Sequence, residues 1–180
     1  MLNPDGFLAR RVWSTTAGTR LATNSFVWAG DRVRITTDAR GQTVTSFWDP
    51  LGRLTGRAFP DGTTVSNWYA RLDGASYPNG TGGTQLLDRT RHQDRLGNRT
   101  AFAFDALRRL TGVTNALGAA RRFTWCSCGA LESTTDPTGA TTSCDHDLQG
   151  RLTGIHYPGG HAVQFTRDAL GWATAVSDGR

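Results

Sequence analysis

Phe104-Asp105-Ala106-Leu107-Arg108-Arg109-Leu110-Thr111-Gly112-Val113-Thr114-Asn115-Ala116-Leu117-Gly118 is the stretch whose reading decides the fold. It holds two tight turns, Asp105 to Arg108 and Asn115 to Gly118, around the five-residue segment Leu110 to Thr114. Asp or Asn at the first turn position accepts hydrogen bonds from backbone N–H groups two residues on, and Gly at the fourth relaxes the exit geometry. A segment of about five residues between turns has the usual length of a β-strand.

Both turns recur. The first type returns at Asp49-Pro50-Leu51-Gly52, Asp147-Leu148-Gln149-Gly150 and Asp168-Ala169-Leu170-Gly171, with Cys126-Ser127-Cys128-Gly129 in the equivalent place. From Arg108 through Gly129 and Gly150 to Gly171 the fourth residues are spaced 21 apart, and Gly97, Gly118, Gly139 and Gly160 keep the same interval. Two interleaved series with one period identify a repeat. Asp49-Pro50 and Asp136-Pro137 place Pro where its fixed φ suits the turn, while Tyr157-Pro158-Gly159-Gly160 reads as a type II turn.

Outward from the turns, Phe102 with Phe104, Phe123 with Trp125 and Val163 with Phe165 alternate with polar or small residues, which puts each pair on one sheet face. No window carries a helical apolar period. The expected fold is all-β: an antiparallel meander of two-strand repeats about 21 residues long, forming a curved ribbon of about eight to twelve strands. The register is clean from Gly97 onward and recognisable from Gly41 to Tyr69. Residues 1–40 read as degenerate strands (Leu8 to Thr15, Leu21 to Trp28, Val33 to Thr37), and residues 41–180 as the ribbon proper. A loop interruption is expected around residues 70–95, centred on Tyr77-Pro78-Asn79-Gly80-Thr81-Gly82-Gly83, with no domain boundary.

Composition narrows the function. The 180 residues are 37% hydrophobic, with 22 Gly and 6 Pro, and the net charge of +5 is carried by Arg alone because there is no Lys. Those Arg residues are spread along the chain, often just after a turn (Arg53, Arg151), whereas a nucleic-acid surface gathers them on one face. Nucleic acid is therefore not an expected partner. The first residues lack a charged segment followed by an apolar run, so no signal peptide is expected, and no apolar stretch approaches a membrane span. Three cysteines do not make a disulfide framework.

The units Trp48-Asp49-Pro50-Leu51-Gly52-Arg53-Leu54-Thr55, Phe104-Asp105-Ala106-Leu107-Arg108-Arg109-Leu110-Thr111 and His146-Asp147-Leu148-Gln149-Gly150-Arg151-Leu152-Thr153 resemble the Tyr-Asp-x-x-Gly-Arg-Leu unit of the RHS (rearrangement hot spot) or YD-repeat family. The resemblance covers roughly residues 40–180. It departs at the Tyr position (Trp48, Phe104, Trp125, His146, Arg167), at the turn Gly (Arg108) and at the Arg after it (Trp172), and these departures are expected to loosen individual turns. The resemblance implies a non-catalytic scaffold: a ribbon segment of a large hollow shell that encloses a C-terminal toxin domain, or part of a cell-surface protein. It implies secretion or surface display as part of a longer protein, and partners in the rest of the shell or an enclosed toxin encoded elsewhere. The chain stops within a repeat, which reads as a fragment. The alternative is a carbohydrate- or partner-binding module built on the same ribbon, glycans being its ligands.

Candidate sites are few. Cys126, Cys128, Cys144 and His146 offer three thiols and an imidazole, a possible zinc set, but both pairs are separated by one residue where structural zinc sites favour two to four. In the repeat Cys144 falls in the slot of Phe102, Phe123 and Phe165, and His146 in that of Phe104 and Trp125, so apolar packing is the expected role, with a disulfide as the third reading. His92, His156 and His161 stand in separate units with no nucleophile or carboxylate in a catalytic order, and most Asp residues sit at turn starts. No catalytic residue, cofactor or metal ligand is assigned. Of the six Trp (Trp13, Trp28, Trp48, Trp68, Trp125, Trp172), Trp48 and Trp125 occupy the repeat's aromatic slot, where cross-strand packing is expected over sugar stacking.

Overall fold

The computed structural model describes residues 1–18, 20–71 and 85–179. Among them are fifteen strands and no helix. The chain divides into two compact units, Met1–Arg99 and Thr100–Arg180, a division that the repeat pattern did not suggest. The first unit contains β1 (Arg10–Ser14), β2 (Arg20–Ala29), β3 (Arg32–Thr37), β4 (Thr43–Trp48), β5 (Leu54–Ala58), β6 (Thr64–Arg71) and β7 (Gln85–Gln93). The second contains β8 (Arg99–Phe104, beginning at the junction), β9 (Leu110–Thr114), β10 (Ala120–Trp125), β11 (Leu131–Thr135), β12 (Thr141–His146), β13 (Leu152–His156), β14 (Ala162–Arg167) and β15 (Ala173–Asp178). Within each unit every strand pairs antiparallel with the next in chain order, the meander that the repeat demands. Fifteen strands exceed the eight to twelve expected, because the first 40 residues contribute three and residues 85–93 another. Pairing continues without interruption from β3 to β4. The interruption expected over 70–95 is narrower, since Gln85–Gln93 is strand, and the Tyr77 to Gly83 loop lies outside the described residues.

Among the described residues from Asp38 onward, each turn closes with the amide of its fourth residue donating to the carbonyl of its first, as from Gly52 to Asp49 (2.9 Å), Gly118 to Asn115 (3.0 Å) and Gly150 to Asp147 (2.9 Å). The fourth residue takes a left-handed backbone, with φ of 80° at Gly118 and 77° at Gly150. Arg108 adopts the same conformation at 64°, so an L-residue occupies the glycine position without opening the turn. Tyr157 to Gly160 carries φ of 91° at Gly159, as a type II turn requires.

The two turn series differ in one respect. Hairpins closed after even-numbered strands slip register just before the turn: Phe47 faces Gly56 but Trp48 faces Leu54, and Ala103 faces Gly112 but Phe104 faces Leu110. Thr55 and Thr111 are thereby left over, one bulged residue per hairpin. The hairpins β3–β4, β5–β6, β9–β10, β11–β12 and β13–β14 show no such slip. The extra residue makes the repeat length odd.

The sheets are single layers. The accessible surface of 11761 Å² is well above the roughly 8500 Å² expected of a compact globule of this mass. Among the described residues only Trp68, 9% exposed, counts as a buried hydrophobic side chain. Apolar contact is made laterally instead, through cross-strand pairs such as Phe102 with Val113, Cys144 with Ile155 and Phe165 with Val176. Stability of this kind rests on ladders and turns more than on a core.

Gly118 and Gly112 separate these contributions. A Cβ at Gly118 meets nothing within 4 Å but would be held at φ 80°, so Gly118→Ala is expected to cost about 1–2 kcal/mol in chemical denaturation. A Cβ at Gly112 would make ordinary contact with Ala103 Cβ at 3.5 Å in an extended strand, so Gly112→Ala is expected to be neutral or mildly stabilising.

Candidate functional site

The chemistry-bearing side chains concentrate at the turns that follow the even-numbered strands, which share one edge within each unit. The unit of construction is a capped turn. In Asp105 to Arg109, Asp105 Oδ1 accepts the N–H groups of Leu107 and Arg109, both at 2.9 Å, while Oδ2 accepts Nε of Arg109 at 2.7 Å. Asp147 repeats this with Gln149, Arg151 and the Arg151 guanidinium, the last at 2.6 Å. Asp49 and Arg53 form the most enclosed copy, the Asp49 side chain being fully buried. Asp94, Asn115, Asp136 and Asp168 cap their turns through the same two amides. Arg after the turn Gly is thus a structural partner of the turn carboxylate.

The clip extends from one repeat to the next. Arg109 also donates through Nη1 to the carbonyl of Cys126 (3.0 Å) and lies 5.8 Å from the Trp125 ring centroid. Arg53 sits 4.1 Å over the Tyr69 ring, and Arg32 donates to the Gly52 carbonyl at 3.1 Å while lying 6.0 Å from the Trp48 ring. The aromatic slot answers in the opposite direction. Trp48 Nε1 donates to the Val33 carbonyl (2.9 Å), Tyr69 Oη to Leu54 (3.1 Å), Trp125 Nε1 to Leu110 (2.7 Å), and Arg167 Nη2 to Leu152 (2.9 Å). Each donor lies 15 residues after its acceptor. At Trp48, Trp125 and Arg167 the departures from Tyr therefore keep the contact that Tyr69 makes, since each carries an N–H that reaches the equivalent carbonyl. Sequence reasoning missed this device, although the constant spacing could have shown it. Phe104 has no donor to offer and is half-buried opposite Leu110.

The proposed zinc set is not assembled. Cys126 and Cys128 are joined in a disulfide across the corner of their turn, with Cα atoms 5.1 Å apart. Cys144 is a free thiol opposite Ile155, in the phenylalanine register, and burial pushes its pKa up. Among the described residues no three His, Cys, Asp or Glu side chains gather as a metal would need. His92 Nδ1 contacts Asn67 Oδ1 at 2.9 Å and is held below its ordinary pKa by burial and by nearby Arg89. His156 pairs with Asp145 at 2.6 Å and His161 with Asp178 at 3.1 Å, with Tyr157 stacked on the His161 ring. The Trp residues split: Trp28, Trp48 and Trp125 donate to carbonyls, Trp68 is buried under Arg91, Arg11 lies 5.9 Å from the Trp13 ring, and Trp172 is exposed. A groove of about 340 Å³ between the turns of the opposite edge is lined by Asp38, Gln42, Phe59, Asp61 and Arg95, with Arg95 paired to Asp61 and stacked 4.1 Å over Phe59.

Two outcomes are expected. Trp125→Phe keeps the ring but leaves the Leu110 carbonyl without its donor, and should cost about 1 kcal/mol of stability by urea denaturation. Second, Asp94, Asp105, Asp136 and Asp147 titrate low. Asp105 and Asp147 lie below the ordinary value of 3.8 chiefly through the amides of Arg109 and Arg151, Asp136 through the Thr138 hydroxyl, and Asp94 through the Asn98 amide side chain. A folded-state pKa below the unfolded one adds stability that is present above 3.8 and lost as pH falls through the lower folded values. Urea midpoints should therefore fall slightly as pH drops below 6.5, where the unfolded chain protonates at His92 before the folded one, and fall further below about pH 5 as the carboxylates lose their contribution.

The comparisons with known proteins follow the repeat. Residues 87–120, 129–162 and 146–180 match the model of the RHS repeat. Among curated proteins none matches the sequence. Among solved structures the chain is similar to the TcdB2-TccC3-TEV crystal structure (14% identity, 91% of this chain, 12% of that chain, TM-score 0.26). It is also similar to a Tc holotoxin pore of Photorhabdus luminescens (13% identity, 94% and 14% covered, TM-score 0.24). A porin-like protein from Bacteroides uniformis aligns at 12% identity over 99% of this chain and 86% of that one, with a TM-score of 0.37. The chain spans only 12–14% of the length of the toxin chains that it resembles. No helix of the structure is long and apolar enough to cross a membrane, which says nothing of β-barrels. The assignment rests on the repeat itself, with its capped turns in register with the matched segments: residues 87–120, 129–162 and 146–180 of this chain are RHS repeats.

Proposed function

We propose that the chain is a wall segment of a larger RHS-type assembly that encloses a polypeptide made with it, and that its role is structural. The observation that carries this reading is the single-layer sheet, in which Trp68 is the one buried hydrophobic side chain among the described residues. A sheet face of this kind gains stability when something covers it. The distribution of polar chemistry supports the same reading. Asp49, Asp105 and Asp147 are engaged by backbone amides and by Arg53, Arg109 and Arg151, so these charges hold the ribbon together. Apolar tips such as Leu107, Leu117 and Leu170 project from the turns, 73–92% exposed, and suit contact with further protein. A disulfide in the chain fits an oxidising compartment, consistent with secretion or surface display.

The test is to isolate the native protein with an antibody raised against this chain. A polypeptide much longer than 180 residues is expected, whose limited proteolysis leaves a resistant repeat body together with a co-protected segment. A native species of 19.5 kDa whose Trp fluorescence is quenched saturably by a glycan would overturn the wall reading in favour of a binding module.

A further inference from the structure

The turn between β10 and β11 differs from its counterparts in one chemical respect. At the position where Asp49, Asp105, Asp147 and Asp168 place a carboxylate, the chain has Cys126, and two residues on it has Cys128. The turn is otherwise conventional: the Cys126 amide donates to the Ala130 carbonyl (3.0 Å), the Gly129 amide donates to the Cys126 carbonyl (3.1 Å), and Gly129 has φ 89°. Cys126 Sγ takes the place of the capping oxygen and accepts the amide of Ala130 at 3.3 Å, the bond that Asp105 Oδ1 makes with Arg109. The guanidinium of Arg109 bonds the Cys126 carbonyl at 3.0 Å. Residue 126 thus occupies a site that the rest of the repeat uses to hold an anion, with the Ala130 amide donating to its sulfur and the Arg109 guanidinium on its carbonyl.

The two sulfurs are not equivalent. Cys126 is half-buried at the base of the turn, and Cys128 is exposed at its corner. The bond joins residues two apart, so it closes almost no chain and adds little by restricting the unfolded state. Exposed disulfides with little structural support are the exchangeable ones, and exchange is fastest when the attacked sulfur is accessible and the departing thiolate is stabilised.

We propose that Cys126-Ser127-Cys128 is a thiol–disulfide exchange site, in which an incoming thiolate attacks the exposed Cys128 Sγ and Cys126 Sγ leaves as a thiolate into the turn's anion cap. The attack forms a mixed disulfide at Cys128 and breaks the Cys126–Cys128 bond, whose electron pair stays on Cys126. The second thiol of a dithiol partner then attacks the mixed disulfide at the partner's own sulfur and releases Cys128. The chain gains two electrons and two protons as the partner dithiol becomes a disulfide. Run backwards, the Cys126 thiolate resolves a mixed disulfide held on Cys128 and reoxidises the turn. Cys144 takes no part: it lies in a packed strand register, where burial and Asp145 disfavour its thiolate.

The chain carries its own control in Cys144. The full chain is reduced with excess dithiothreitol, freed of reductant, and pulsed with iodoacetamide across a range of pH, and labelling is read at each cysteine by peptide mass spectrometry. Cys126 is expected to reach half-maximal labelling at least about one pH unit below Cys144, on the order of tenfold faster at mildly acidic pH, and the difference should vanish in urea. Exposure of the oxidised chain to glutathione should trap the adduct on Cys128. Cys126→Asp, which restores the repeat's usual cap, should keep the thermal melt of the parent while abolishing dithiol oxidation. Equal labelling profiles for Cys126 and Cys144, an adduct on Cys126, or a profile unchanged by urea would each overturn the proposal.

Discussion

The structure depends on a carboxylate folded back onto its own turn. A β-turn by itself leaves the amides of its third and fifth residues without partners, and in a single-layer sheet water competes for every one of them. Asp105 and Asp147 satisfy both amides with one oxygen and hold a guanidinium with the other. The turn is then defined by contacts within five residues, and the register of the hairpin follows from it. A fold with so little interior has few other means of fixing which residues face each other.

A second layer of order runs from repeat to repeat. The guanidinium that closes one turn reaches the carbonyl or ring of the next, and the next repeat's aromatic slot donates back to the first carbonyl of the preceding strand. The two contacts point in opposite directions along the chain and share the same pair of turns. Their partners are main-chain carbonyls on one side, which is why Trp, Tyr and Arg substitute for one another. What Trp48, Tyr69, Trp125 and Arg167 share is a donor of the right reach, while Phe104 occupies the slot without one.

Much of this is legible in the residues. Asp at turn starts, Gly at turn ends and their common interval fix strand positions from Gly97 onward, because turn chemistry is local and strand length follows from it. The N-terminal strands are harder to read, since Gly18 and Gly30 keep the left-handed backbone but no capping Asp precedes them in register. The donor ladder is hidden for a different reason: Trp48, Tyr69, Trp125 and Arg167 share a hydrogen-bonding group but no class of side chain, and their acceptor is backbone. The cysteines illustrate a third limit. One-residue spacing suits a turn-corner disulfide as well as it disfavours zinc, and only the geometry of the turn distinguishes the partners.

The odd repeat length has a consequence for how such chains change over time. The bulged residue, Thr55 or Thr111, advances the sequence by one place on one edge only, so equivalent side chains return to the same face after a full repeat and after no shorter interval. Loss or gain of a whole repeat rejoins a donor to a carbonyl of the same kind and a guanidinium to a turn of the same kind. Loss of a single strand with its turn would set two bulged turns, or two regular ones, in succession. Within the regular ribbon, gain or loss of chain preserves the pairing when it comes in steps that preserve the phase.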